Sequence, residues 1–367
     1  MNISQESVNR EHILRFKLER LLDQHNIYWK QRAHNAWLTK GDRNTAFFHA
    51  FASKRRIKNW IRKLKDDNGS VVEGDQLKSF IANQYQQLFT SSTSTHFEEV
   101  LSCVDPRVTR EMNEALIKPF SGEEVWNALQ SIGDLKAPGA DGMPSIFYKK
   151  FWFLIGDQVK TEILDVLNGG PMPVGWNDTT IVLIPKISSP QLLKEFWPIS
   201  LCNVLYKIVS KVLASRLKSI LSDIISPTQS AFVPGRLITD NVLLSYELTH
   251  YLNAKRKDKE GLAAIKLDIS KAYDRVEWLF LEKILIRMGF NTRWVQLIMN
   301  CVTSVTYKIK VNGGYTHHIF PQRGLKQVIR CPLIYLFCVQ KVYRLCYRKL
   351  NKGVQLKALR FVDEHQE

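Results

Sequence analysis

The sequence predicts a mixed helix-and-sheet fold, α/β in the broad sense (α+β), behind a basic helical extension. Three observations predict it. Apolar residues recur at helical spacing in long stretches, as at Ile13, Leu14, Leu18, Leu21 and Leu22. Short apolar runs bounded by turn residues read as strands, at Thr180–Pro185 and Leu262–Ile269. Asn312-Gly313-Gly314, set between Val305–Val311 and Tyr315–Phe320, is a hairpin signal.

The elements follow in order. A first helix carries the Ile13–Leu22 pattern. A second helical run, Trp29–Phe51, is interrupted near Lys40-Gly41-Asp42. Then Lys54, Arg55, Arg56, Lys58, Arg62, Lys63 and Lys65 are interleaved with Ile57, Trp60, Ile61 and Leu64. Spaced cations neutralise successive phosphates and an indole stacks on a base. The same pattern also fits an amphipathic element with a solvated basic face. Asp66-Asp67-Asn68-Gly69 marks a turn, so Val71-Val72 begins a return strand. Residues 90–106, Thr/Ser-rich and closed by Pro106, read as a linker. Ser121-Gly122-Glu123-Glu124 is a helix start, with acids suited to the positive end of the helix dipole. The Gly- and Pro-rich loop Lys136–Pro144 separates it from a helix over 145–168. A long helix follows at Leu201–Ser222, and two more at 277–289 and 292–303.

The 367 residues carry 52 Lys+Arg against 35 Asp+Glu, a net charge of +17 that suggests a polyanionic partner. That charge is uneven: +10 lies in residues 1–65, +5 in 328–367, and only +2 between them. With 45% hydrophobic residues the chain can bury a core, which excludes global disorder. No apolar run is long enough for a membrane span, and the polar N-terminus is not a signal peptide. The expectation is therefore a chain with no membrane partner, and the basic run 54–65 is a weak nuclear-localisation signal. The six cysteines are scattered, without zinc spacing, and read as free thiols.

The chemistry concentrates at Ile265–Asp274. An acid closing an apolar strand, as Asp268 does, is costly unless it holds a partner or a metal. A hard cation such as Mg²⁺ suits carboxylate and phosphate oxygen. The plainer alternative is an Asp that caps the next helix.

The surrounding motifs resemble one family, the reverse transcriptases of LINE-type (non-LTR) retrotransposons, in the form common in plants. Trp29–Phe51 is similar to the segment between endonuclease and polymerase in those polyproteins. Lys136–Gly142 resembles their extra N-terminal polymerase motif. Trp176–Lys186 is similar to the first fingers strand, Phe196–Asn203 to F-R-P-I-S-L-C-N, and Ser226–Asn241 to a further family stretch. Leu267–Asp274 resembles the palm motif with the first catalytic aspartate, and Gln322–Gln327 the start of the primer–template motif.

The resemblance implies right-hand polymerase fingers and a partial palm. It implies an RNA template, a DNA primer and dNTP as partners, and Mg²⁺ as cofactor. Asp268 becomes the catalytic residue and metal ligand of a two-metal site. Tyr273 becomes the plate under the nucleotide sugar. Lys186 approaches the triphosphate or is simply solvated. Gln322, Arg323, Gly324 and Gln327 shape the template–nucleotide pocket. Arg236 touches template or caps a loop.

Two departures stand out. Trp197 occupies the place of the family's triphosphate-contacting Arg, and an indole cannot replace a fixed cation. After Gln327 the family continues G-D-P-L-S-P and later aromatic-Ala-Asp-Asp, whereas this chain reads Val328-Ile329-Arg330-Cys331-Pro332-Leu333 and has no aromatic-x-Asp-Asp downstream. Residues 328–335 can be encoded so that one restored G yields G-D-P-L-S-P-Y-L, and the shift extends through Lys349. A frameshift after Gln327 is the expectation. The chain then divides into a basic helical extension and linker (1–106), incomplete fingers and palm (107–327) and an out-of-frame tail (328–367), without thumb or upstream endonuclease. With the second acids missing, this copy is expected not to polymerise. The alternatives are a non-catalytic nucleic-acid-binding remnant or a translated pseudogene.

Overall fold

The computed structural model describes residues 5–33, 45–92, 97–102, 104–225, 230, 233, 235–254 and 270–326. The described chain falls into two compact units. One is drawn from the first 77 residues with Leu183–Pro198 and Val311–Gly314; the other takes in Lys78–Val182, Ile199–Lys310 and the remainder from Tyr315.

The first unit opens with helices α1 (Gln5–Ala33) and α2 (Thr45–Lys58), which pack on each other. The Trp29 indole lies 3.5 Å from the His49 ring, centroid to centroid, and donates to His25 Nε2 at 3.1 Å. The expected break near Lys40 lies outside the described residues. Strands β1 (Lys63–Lys65) and β2 (Val71–Glu73) pair antiparallel around the expected turn. Asp66 Oδ1 accepts from the amides of Asn68 and Ser70 at 3.0 and 2.7 Å, and Gly69 takes φ +84°. The cation run is therefore split between two elements, the end of α2 and the start of β1. Asn312 closes this unit, its side chain bonding both the amide and the carbonyl of Ile61 at 2.9 and 2.7 Å.

Helix α3 (Gln76–Phe89) leads into the second unit, followed by short α4 (Glu98–Leu101) and by α5 (Arg110–Ile117) and α6 (Gly122–Gln130). The linker expected over 90–106 thus contains a helical turn, and Leu101 and Val104 are buried in the core. Both lie within the second unit, which begins at Lys78. The Ser121 start is a full capping box: Glu124 N donates to Ser121 Oγ at 3.2 Å and Ser121 N to Glu124 Oε2 at 2.9 Å. The helix expected over 145–168 is two, α7 (Ser145–Lys150) and α8 (Trp152–Leu167), because Phe151 at φ −99°, ψ 14° leaves the helical region.

Strands β3 (Asp178–Pro185) and β4 (Phe196–Cys202) precede α9 (Val204–Ile224) and α10 (Ile238–Ala254). Helices α11 (Trp278–Arg287) and α12 (Thr292–Thr303) lead to β5 (Thr306–Val311) and β6 (Gly314–Tyr315). The sheet order is β4-β3-β5-β6, with β3 and β5 parallel from Asp178↔Thr306 to Val182↔Lys310. The expected hairpin forms, Asn312 and Gly313 taking φ 50° and 89° as a tight two-residue turn requires. The strand expected at Leu262–Ile269 lies outside the described residues.

Helix α9 is the axis of the core, buried on nearly every side and packed by α5, α6 and α8. A buried Arg216 fits there because every donor is used. It forms a two-pronged pair with Glu124 at 2.7 and 2.8 Å and bonds the carbonyls of Leu116, Lys118 and Pro119, lying 3.6 Å over the Phe120 ring. Such a guanidinium holds Glu124 below the ordinary carboxylate range.

Candidate functional site

The expected site residues separate into places. Asp268 and Gln327 lie outside the described residues. Tyr273 opens a tight helical turn, Tyr273–Arg275, and packs half-buried against the core. Gln322, Arg323 and Gly324 form an extended strap that lies directly on this turn. Leu325 N donates to Tyr273 O and Gly324 N to Val276 O, both at 2.8 Å, and Trp278 Nε1 donates to Gly324 O at 2.8 Å. Two motifs far apart in sequence are therefore laced together.

Gly324 is required at the closest point. Its φ is +96°, and a Cβ would sit 2.9 Å from Asp274 O. The near approach the structure records at Gly324 is thus to the backbone of the neighbouring motif. The Asp274 carboxyl is raised to about 6 by burial, against the pull of Lys271 and Arg275. Burial, with Asp274 close by, also raises the Tyr85 phenol.

The other edge of the strap meets the end of α3. Gln322 N donates to Phe89 O and Arg323 Nε to Leu88 O, each at 2.8 Å. Ser91 N donates to Gln322 Oε1 at 3.1 Å. Arg323 also pairs with Glu277 at 3.1 Å. Gln322 and Arg323 are thereby engaged by the protein itself.

Beyond the strap, Lys326 is buried, 4% exposed. Its ammonium bonds Asn177 Oδ1 and the Asn177 carbonyl, the latter at 3.2 Å, and lies 4.1 Å from the Tyr206 ring centroid. Burial lowers it to about 8, opposed by Cys202, Cys301 and Asp178. Asn177 in turn donates to Cys301 O at 3.0 Å and Ser304 Oγ at 2.7 Å.

The remaining residues stand apart. Lys186 is exposed just past β3, its amide donating to Glu195 O at 2.8 Å. Trp197 is 48% exposed on β4. Arg236 is half-exposed in the turn before α10. Lys54, Arg55, Arg56, Lys58, Trp60, Arg62 and Lys63 are all exposed. Among the described residues no group of three or more His, Cys, Asp or Glu side chains converges as a metal site. Glu277, Asp274, Ser91, Ser92 and Lys326 carry no role in the sequence reading. The one signal for Glu277 was its place in the Ala272-Tyr273-Asp274-Arg275-Val276-Glu277-Trp278 run.

Comparison with known proteins settles the family. The description "Reverse transcriptase (RNA-dependent DNA polymerase)" matches residues 184–365. The chain carries a reverse transcriptase domain of the non-LTR retrotransposon kind. The chain is 31% identical over 326 residues to the 149 kDa protein of transposon TX1 from Xenopus laevis, covering 86% of this chain and 24% of that protein. It is 27% identical over 270 residues to the probable RNA-directed DNA polymerase from transposon BS of Drosophila melanogaster, covering 72% of this chain and 29% of the relative. A type-1 R2 element polyprotein from Popillia japonica shares 26% over 213 residues, covering 57% and 28%. The chain thus spans less than a third of the relatives it matches. The family match continues through the tail, and this stretch includes Phe361-Val362-Asp363-Glu364, an aromatic, one residue and two acids. No described helix is long and apolar enough to cross a membrane.

Proposed function

We propose that this reverse transcriptase domain binds an RNA template with a DNA primer and has lost efficient polymerisation. The observation that carries the reading is the lacing of the Gln322–Leu325 strap onto the Tyr273–Trp278 turn, which joins the two motif stretches expected to flank the incoming nucleotide. Asp268 would hold the Mg²⁺ ions, its hard carboxylate oxygen suiting that cation. Once bound, Mg²⁺ would activate the primer hydroxyl and neutralise charge on the triphosphate. Tyr273 would bear on the sugar, and Lys186 on the phosphates. The plant-type assignment rests on the spelling of the motifs alone.

The loss of activity rests on three residues or stretches. Trp197 replaces a cation. The 328–349 stretch replaces G-D-P-L-S-P and the family residues beyond it. Phe361-Val362-Asp363-Glu364 offers Asp-Glu where the family has Asp-Asp. That acid pair refines the frameshift: the frame slips after Gln327 and returns between Lys349 and Phe361. The coding DNA tests this directly, since the alternate frame must read G-D-P-L-S-P after Gln327.

Primer extension tests the activity. No dNTP incorporation on an RNA template with Mg²⁺ is expected, and a preparation that extends the primer overturns the proposal. A second reading, nucleic-acid binding without catalysis, is favoured by the exposed cations that close α2. Retained, salt-sensitive RNA binding supports it.

A further inference from the structure

Glu277 makes an unusual set of bonds. One carboxylate oxygen accepts from Ser91 Oγ at 2.7 Å. The other accepts from Ser92 N at 3.2 Å, Ser92 Oγ at 3.0 Å and Arg323 Nη1 at 3.1 Å. The Glu277 and Arg323 side chains are 15% and 17% exposed, so water does not easily replace these partners. Burial pushes the Glu277 carboxyl up, but the bonds from Ser91, Ser92 and Arg323 outweigh it and hold it below the ordinary range.

We propose that Glu277 is the positioning residue for the Gln322–Leu325 strap. It is placed for this by three separate attachments. Its backbone pairs with Arg323 as an isolated antiparallel bridge. Its carboxylate grips the Arg323 guanidinium, whose Nε is committed to Leu88 O. The same carboxylate holds Ser91 and Ser92, just past the end of α3. Glu277 therefore ties the end of α3, the strap and the Tyr273–Trp278 turn to one charged group. Charge-assisted bonds are shorter and stronger than neutral ones, and a planar guanidinium fixes direction as well as distance. The consequence for the template–nucleotide pocket rests on the polymerase reading above; the geometry of the clasp does not.

The test uses the full chain as wild type, E277A and the double variant S91A/S92A. The readout is amide hydrogen exchange at Gln322, Gly324 and Leu325, whose N–H groups bond Phe89 O, Val276 O and Tyr273 O. Thr316 and Met288, bonded to Ile309 O and Ile284 O, serve as controls. Both variants are expected to exchange roughly tenfold faster at the three strap amides, with the controls unchanged, as local opening predicts. A folded E277A with wild-type strap exchange overturns the proposal. So does equal acceleration at every amide, which marks general destabilisation. S91A/S92A keeps the ion pair and cuts only the α3 side, so wild-type strap exchange there overturns the coupling even where E277A fails to fold. Fluorescence anisotropy with a labelled RNA–DNA primer–template supplies a separate arm. E277A is expected to bind it severalfold more weakly than wild type. A wild-type chain that does not bind it defeats the polymerase reading and leaves the exchange result to decide the clasp.

Discussion

Gly324 and Asp274 touch backbone to backbone: a Cβ on Gly324 would lie 2.9 Å from the Asp274 carbonyl oxygen, at a residue already held at φ +96°. Both facts penalise any side chain. G324A is expected to destabilise the second unit by about 2–3 kcal/mol from left-handed strain and close contact together. Chemical denaturation measures this. The effect must appear with the Trp278 indole signal, since that ring donates to Gly324 O at 2.8 Å.

Asp274 opposes folding at neutral pH. Its carboxyl is raised from 3.8 to about 6. Between those values the folded chain holds a proton that the unfolded chain releases, so stability falls as pH rises through this window. D274N carries no such charge. Its stability relative to wild type is expected to rise by about 3 kcal/mol from pH 3.5 to pH 7, the upper bound that this shift allows. Parallel melting curves at the two pH values decide it, and a difference independent of pH removes the explanation.

Lys326 gives the opposite slope. It falls from 10.5 to about 8, so between these values the unfolded chain binds the extra proton and the lysine's penalty fades as pH rises. Cys301, raised to about 12 by burial, pulls the whole protein the other way above its ordinary value of 9.0. The quantity to compare is therefore the difference between wild type and K326M. The variant is expected to gain up to about 3 kcal/mol on wild type at pH 7 relative to pH 10.5.

Local chemistry was legible and long-range polar pairing was not. The Asp66–Gly69 turn, the helix start at Ser121 and the Asn312-Gly313 turn are written in adjacent residues, and each forms as read. The break at Phe151 had no Gly or Pro to announce it. Arg323 with Glu277, Arg216 with Glu124 and Lys326 with Asn177 join residues 46, 92 and 149 apart. A single sequence shows these side chains but not that each finds its partner inside the fold. Hence the strap residues read as ligands for substrate, while their bonds in the structure run to α3 and Glu277.

The basic end of α2 allows a decisive test between grip and solvated face. Lys54, Arg55, Arg56 and Lys58 are exposed, and Arg55 lies 5.7 Å from the Phe51 ring centroid. Arg55, Arg56 and Lys58, in the last helical turn, also favour the helix dipole, which supplies a reason for them without any ligand. The two roles respond differently to salt. Replacing all four with Gln removes phosphate contacts if they exist, and each contact to single-stranded RNA contributes about 0.7 to the slope of log K against log salt. The slope is expected to fall by about 2–3 in magnitude. W60A removes a stacking partner worth about 1–3 kcal/mol per base and should leave the slope unchanged. If both variants bind RNA as wild type does, the cations are a solvated face, and the Gln variant then costs only the dipole term of about 0.3–1 kcal/mol per residue in helix stability.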